Sequence, residues 1–311
     1  MNEIAIQEIN ERLIASPESA VIDAEAAYDH TLRNLADVIC RQASSRPIVL
    51  ISGPSGSGKT TTACRLEQIL DAAGYESHTL SMDNYYSDGI KNKDIVDQFG
   101  NPDYESPDRL DIDLLNTQLE QLARGEEVEL PEFDFAAQKQ RKSGRTLRRK
   151  PHELIIMEGI HALNPSVIGS AHDTAVRIYL SVRTRIVQDD RKLHPSLIRF
   201  ARRLIRDNRT RGRVPEESCK MLSSISRGEN LYIMPYKHYA DHELDTFMGY
   251  ELSVYRPFIL DTVRTLAETA PADSGIPVLR DFLEQLEPAG EEWIPEQSLV
   301  REFIGGSMFT A

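Results

Sequence analysis

The sequence predicts an α/β fold with a mainly parallel sheet and helices on both faces. Three observations predict it. Short apolar runs rich in β-branched residues alternate with segments of helical spacing along most of the chain. One such run, residues 47–52 (PIVLIS), leads directly into a Gly-rich turn and then a helical stretch. Two further segments that read as strands, 77–82 and 154–157, lead into carboxylates, Asp83 and Glu158. In sheets of this kind ligands bind outside the carboxyl ends of the strands, so the turn and both acids are expected at one edge.

The elements follow in order. Residues 1–45 read as helical, with Ile4, Ile6, Ile9, Leu13, Leu32, Leu35 and Ile39 at mixed helical spacing, and Ser16-Pro17 is expected to break the region in two. Residues 47–52 form a buried strand and 60–73 a helix stopped by Gly74. A second strand covers 77–82, and a helix over 111–123 starts at Asp111 as N-cap and ends before Gly125. Residues 128–135 and 146–150 read as short strands around a basic turn. Strands at 154–157 and 176–182 and a long basic helix at 196–211 follow. Beyond about residue 265 the chain turns acidic and rich in Pro and Gly. The predicted organisation is therefore a helical leader (1–45), a catalytic domain (46–265) and an acidic helical tail (266–311) packed on it. Trp293, the one Trp, is expected to anchor that tail.

Composition narrows the function. The 311 residues are 40% hydrophobic and 27% charged, which excludes a mostly disordered chain. No apolar run approaches the roughly 18 residues of a membrane span. The acidic start MNEIAIQEIN lacks the basic region of a secretory signal. Cys40, Cys64 and Cys219 are far apart and outside any CxxC, which fits a reducing, cytoplasmic setting and neither a disulfide framework nor a zinc site. The histidines lack metal-ligand spacing; His238 and His242 stand four apart without the Glu of a zinc protease motif. A net charge of -13 disfavours nucleic acid and anionic membranes as partners. The bases are nevertheless clustered, at 139–150 and again at 183–213, as in a protein that handles a small polyanion.

Gly53-Pro54-Ser55-Gly56-Ser57-Gly58-Lys59-Thr60 fits G-x-x-x-x-G-K-[ST]. Such glycines let backbone N–H groups turn inward around phosphate oxygens, and the following helix presents its positive end. Lys59 would reach the β- and γ-phosphates, the Thr60 hydroxyl would hold Mg²⁺, and Thr61 completes the cradle. A carboxylate ending a strand beside such a loop can hold the metal or accept a proton from an attacking hydroxyl. Asp83 and Glu158 are the candidates.

Taken together, these blocks resemble the uridine kinase and phosphoribulokinase family of P-loop kinases. The resemblance runs through GPSGSGKTT, SMDNYYSD, ESPDRLD, LPEFDF, IIMEGIHALNP, RRLIRDNRTRGR and MPYKHYAD, and REFIGGS resembles the ending of a bacterial uridine-kinase-like subgroup. It implies a parallel-sheet kinase with a small β-hairpin insertion and a helical lid. ATP and Mg²⁺ would be the cofactors, the acceptor a small molecule, and the protein an oligomer of identical copies. By resemblance, Asp83 is the base that activates the acceptor hydroxyl and Glu158 the acidic Mg²⁺ position. Arg206 and Arg211 are lid arginines on the phosphates, and Arg203 and Arg213 contact the nucleoside. Arg202, Arg203, Arg206 and Arg209 recur at helical spacing, so several are expected on one cationic face. The acceptor positions depart from the uridine pattern. Phe133 replaces a tyrosine, Gln138 a histidine, and Glu105 an aspartate that holds the ribose. Three functions stay open: phosphorylation of a nucleoside 5′-hydroxyl, as of uridine or cytidine; a sugar or sugar-phosphate kinase whose acceptor phosphate meets the basic run 139–150; and an ATP-binding regulator without an acceptor.

Overall fold

A computed structural model describes residues 2–89, 94–98, 100–135 and 137–309; the side chains of Arg211 and Ala272 lie outside that description. The chain opens with β1 (Glu3–Ala5), α1 (Ile6–Ala15) and α2 (Pro17–Gln42). The break falls where Ser16 caps α2 by accepting the Ser19 N–H, with Pro17 at the first helical position. β2 (Ile48–Ser52), α3 (Lys59–Ala72) and β3 (Ser77–Ser81) follow, and Gly74 closes α3 at φ 90°. α4 (Ile112–Ala123) is capped by Asp111, whose side chain accepts the Leu114 N–H. β4 (Glu127–Asp134) and β5 (Lys139–Arg148) form an antiparallel hairpin. Then come β6 (Leu154–Glu158), α5 (Pro165–Ile168), α6 (Ala171–Thr174), β7 (Ala175–Ser181), β8 (Arg185–Gln188) and β9 (Arg191–Leu193). α7 (Pro195–Arg211), α8 (Pro215–Gly228), β10 (His242–Asp245), α9 (Glu251–Thr269), α10 (Ile276–Gln285) and α11 (Arg301–Ile304) complete the order.

The main sheet is parallel throughout, in the order β10-β7-β2-β6-β3. β2 sits at its centre because Ile48 to Ile51 are apolar on both faces and wholly buried. Alternation along each strand divides the core. Val49, Ile51, Ile156 and Ile178 face one layer, which also takes in α1, α2, α7, α9, α10 and the 294–304 segment. Ile48, Leu50, Ile155 and Met157 face the other, against α4 and the hairpin. A smaller sheet, β1-β8-β9, ties the start of the chain to the segment after β7 through parallel pairing of Glu3–Ala5 with Arg185–Val187. Among the described residues no helix is long and apolar enough to cross a membrane.

The structure corrects three expectations. The basic stretch after residue 138 is not a turn: Lys139–Arg148 is the second hairpin strand, because Arg141 and Lys142 pair with Glu132 and Glu129 across it. Trp293 does not anchor the tail; it is 45% exposed, and Leu279, Phe282, Leu299 and Phe303 are the buried contacts there. The reading of residues 1–45 as helical fails at its start, where Glu3–Ala5 pairs with Arg185–Val187 as β1. On α7, Arg199 and Arg203 reach the Ser55 carbonyl and Arg202 reaches the Gly56 carbonyl, so several arginines do gather on the phosphate loop, whereas Arg209 stacks over Phe258 of α9.

Candidate active site

The phosphate loop leaves the carboxyl end of the central strand. Gly56 and Gly58 adopt φ of 77° and 82°, where only glycine is unstrained. A Cβ at Gly53 would run into the Leu180 carbonyl oxygen, so the loop is held close to β7. Ser57 donates its N–H to the Pro54 carbonyl at 3.1 Å, while its hydroxyl is buried and unpartnered. Such an orphaned donor at the mouth of a cradle fits an oxygen-rich ligand. Lys59 folds back to the Pro54 carbonyl at 3.5 Å, and among the described residues no acid pairs with it. That geometry matches a lysine kept for phosphate. The Thr60 hydroxyl stands 3.4 Å from Glu158 Oε1, so the two residues proposed to hold Mg²⁺ face each other. Magnesium takes oxygen ligands of this kind, and the pair fits it.

Glu158 ends β6 and is 5% exposed. Burial raises its carboxyl to about 7; Lys59 opposes the shift and the charge of Asp83 adds to it. Asp83 lies in the 3₁₀ turn Met82–Tyr85 that follows β3, exposed, with its N–H on the Ser81 hydroxyl at 3.3 Å. Strand ends therefore bring Asp83 and Glu158 to one edge with the loop.

Glu105 stands across from them. Its N–H donates to Asp103 at 3.3 Å, and its Oε2 is buried without a partner. Burial raises its carboxyl to about 7, helped by Glu229 and Asp83 and opposed by Lys59 and Arg203. Gly228 packs on its methylene: a Cβ there would collide with that of Glu105. Phe133 is buried at the end of β4, in a ring cluster with Tyr86 at 5.6 Å and Phe135 at 5.0 Å. Gln138 turns the hairpin at φ 51°, exposed, donating to the Phe135 carbonyl at 2.8 Å.

The arginines divide. Arg203 is buried and donates to the Ser55 carbonyl at 3.2 Å; burial lowers its guanidinium to about 10, still charged at neutral pH. Arg206 and Arg213 both bond Asp207, at 3.1 Å each. Arg211 closes α7, but its side chain lies outside the described residues.

Several groups at this edge were not singled out from sequence. Arg199 donates to Ser55 at 3.1 Å and forms a bidentate pair with Glu229 in the π-helical segment Glu229–Ile233. Asp103 takes Arg227 at 2.7 Å and the Tyr232 hydroxyl at 2.8 Å, tying α8 to the loop before α4. His161, 2% exposed, packs edge-on to Tyr232, and burial drops its imidazole to about 4, so it stays neutral. The base cluster at 183–213 and the strand-end position of His161 were the available signals. One further set, Glu76, His78 and Glu153, could hold a cation, but it lies at the opposite end of the sheet strands and Lys150 already bonds Glu153 at 2.8 Å.

Comparison with known proteins agrees with this geometry. The profile of the Phosphoribulokinase / Uridine kinase family matches residues 48–249. A curated uridine kinase of Lactobacillus johnsonii is 36% identical over 204 residues, spanning 64% of this chain and 86% of that protein. One from Staphylococcus aureus is 35% identical over 195 residues, spanning 62% and 84%. The solved structure of a possible uridine kinase from Bacillus stearothermophilus aligns with a TM-score of 0.43 at 22% identity, covering 69% of this chain and all of that one. The match begins with the strand that feeds the phosphate loop and takes in Asp83, Glu158 and the α7 arginines, so the chain belongs to the phosphoribulokinase/uridine kinase family and is a phosphotransferase of that family.

Proposed function

We propose that the protein phosphorylates a hydroxyl of an uncharged small molecule, foremost the 5′-hydroxyl of a nucleoside such as uridine or cytidine. The observation that carries this reading is the meeting of Thr60 with Glu158 beside Lys59, which no acid pairs with among the described residues, with Asp83 close enough to raise both Glu158 and Glu105. Bound magnesium–ATP would supply the transferable phosphoryl group. Asp83 takes the proton from the acceptor hydroxyl as its oxygen forms the new bond to phosphorus and the bond from that phosphorus to the departing ADP oxygen breaks. Lys59 and Arg206 stabilise the charge on the transferring group, with Arg211 beside them in the lid. The bond of Arg203 to the Ser55 carbonyl and its effect on Glu105 support a role for it toward the acceptor.

Two features bear on the acceptor. Five of the seven bases in the stretch 139–150 are engaged locally: Arg141 on Glu132, Lys142 on Glu129, Arg148 on the Gly125 carbonyl, Arg149 on the Leu122 and Ala123 carbonyls, and Lys150 on Glu153. They are poorly placed to take an acceptor's phosphate, which favours an uncharged acceptor. The unpartnered Glu105 oxygen suits a sugar hydroxyl donor. Phe133 with Tyr86 and Phe135 offers ring faces to a base, but Phe133 has no hydroxyl to read it, so selectivity among bases is expected to be weak. The nucleoside preference draws further support from the curated relatives.

An ADP-release screen across nucleosides, sugars and sugar phosphates tests the reading. Asp83→Asn should slow acceptor-dependent turnover by roughly a hundredfold or more with little change in ATP affinity. Unchanged turnover removes Asp83 from the mechanism, and ADP release indifferent to every acceptor removes the kinase assignment to a small hydroxyl.

A further inference from the structure

The first turn of α3 carries Lys59 and Thr60, yet nothing local caps it. Its N-cap is Gly58, which has no side chain, and no side-chain hydrogen bond is made there. The missing acceptor comes from residue 302, outside the span matched by the family profile. Glu302 Oε2 accepts the Thr61 hydroxyl at 2.7 Å and the Thr61 N–H at 3.4 Å. Two neighbours of Glu302 extend the grip. Leu299 fills the space over Gly58, where a Cβ would collide with its side chain. Ser298 donates to Glu25 Oε1 at 2.5 Å, and the same carboxylate holds Arg65 of α3 at 3.2 Å and the Tyr250 hydroxyl at 2.6 Å. Ser298, Leu299 and Val300 are wholly buried. One short segment thus touches α3 at Gly58, at Thr61 and, through Glu25, at Arg65.

We infer that Glu302 is a positioning residue of the phosphate loop: by holding Thr61 it fixes the first turn of α3, and with it the aim of Lys59 and Thr60. A carboxylate at a helix N-terminus also interacts favourably with the helix dipole. Glu302 acts through Thr61, the residue expected to complete the phosphate cradle, whose N–H and hydroxyl it holds in this structure. The inference rests on the reading that the loop binds a magnesium nucleotide.

The full-length protein tests it by calorimetric titration with MgADP and by amide hydrogen exchange across residues 57–62. Glu302→Ala should raise the MgADP dissociation constant about tenfold and speed exchange in that stretch, whereas Glu302→Gln, which keeps an acceptor oxygen on the same stem, should stay within about threefold of the parent. Should the alanine protein fail to fold, Glu302→Asp carries the test, because it keeps the charge but withdraws the oxygen from Thr61; it should weaken MgADP binding in the same direction. MgADP binding by Glu302→Ala or Glu302→Asp as tight as the parent's, or tighter, overturns the inference. A parent protein with no MgADP affinity instead overturns the nucleotide reading, and exchange at 57–62 in the ligand-free variants then still decides whether Glu302 holds the loop.

Discussion

Glu105 shows how burial sets the charge of a single group. Its carboxyl is raised from 4.5 to about 7 in the fold. Between those values the folded state binds a proton that the unfolded chain has released, so stability falls as pH rises through that window and the penalty is complete above it. Glu105→Gln cannot titrate, and its thermal midpoint should lose that part of the decline between about pH 4.5 and 7; equal slopes for parent and variant would contradict the shift. The phosphate loop, Asp83 and Glu158 were legible at this scale because each is fixed by local chain geometry: a glycine turn, or the last position of a strand. Glu302, Arg199, Glu229 and His161 were not, since each acquires its partner from a segment far away in sequence, and no spacing along the chain encodes that meeting.

Helix α7 is two devices on one element. Arg202 is fully buried, donating to Glu251 at 2.6 and 2.9 Å and to the Gly56 carbonyl at 3.0 Å. Arg206, one turn on, is half-buried and bonds Asp207 at 3.1 Å. Arg202→Ala strands a buried carboxylate and should cost about 3–5 kcal/mol of stability. Arg206→Ala should leave the thermal midpoint nearly unchanged and slow turnover. Denaturation curves and steady-state rates measured on both variants separate the roles; a stability loss at Arg206 equal to that at Arg202 would refute the division. Helical spacing puts these arginines near one another but could not assign their partners, because it gives the angle between side chains and not which packed neighbour each one meets. The parallel strands and most helices were legible from apolar runs and caps. The hairpin boundary was missed because its basic residues look like a turn until the opposing Glu129 and Glu132 are in place. β1 was missed because three residues carry too little pattern to be read as a strand.

At the scale of the molecule, a continuous apolar core joins the N-terminal helices, one face of the sheet and the 276–304 segment. A core shared in this way should melt as one unit. Heating followed by Trp293 fluorescence, which reports on the segment near Ile294, and by far-ultraviolet circular dichroism should give coincident transitions; an earlier fluorescence change would mean that this segment detaches alone. The contact of Glu302 with Thr61 spans 241 positions in the chain. During synthesis on the ribosome, a nascent polypeptide that has emerged as far as residue 249 already holds every strand of the parallel sheet, but its nucleotide cradle still lacks a wall. By the same inference, such a chain holds the first turn of its nucleotide-binding helix less firmly than the finished protein does.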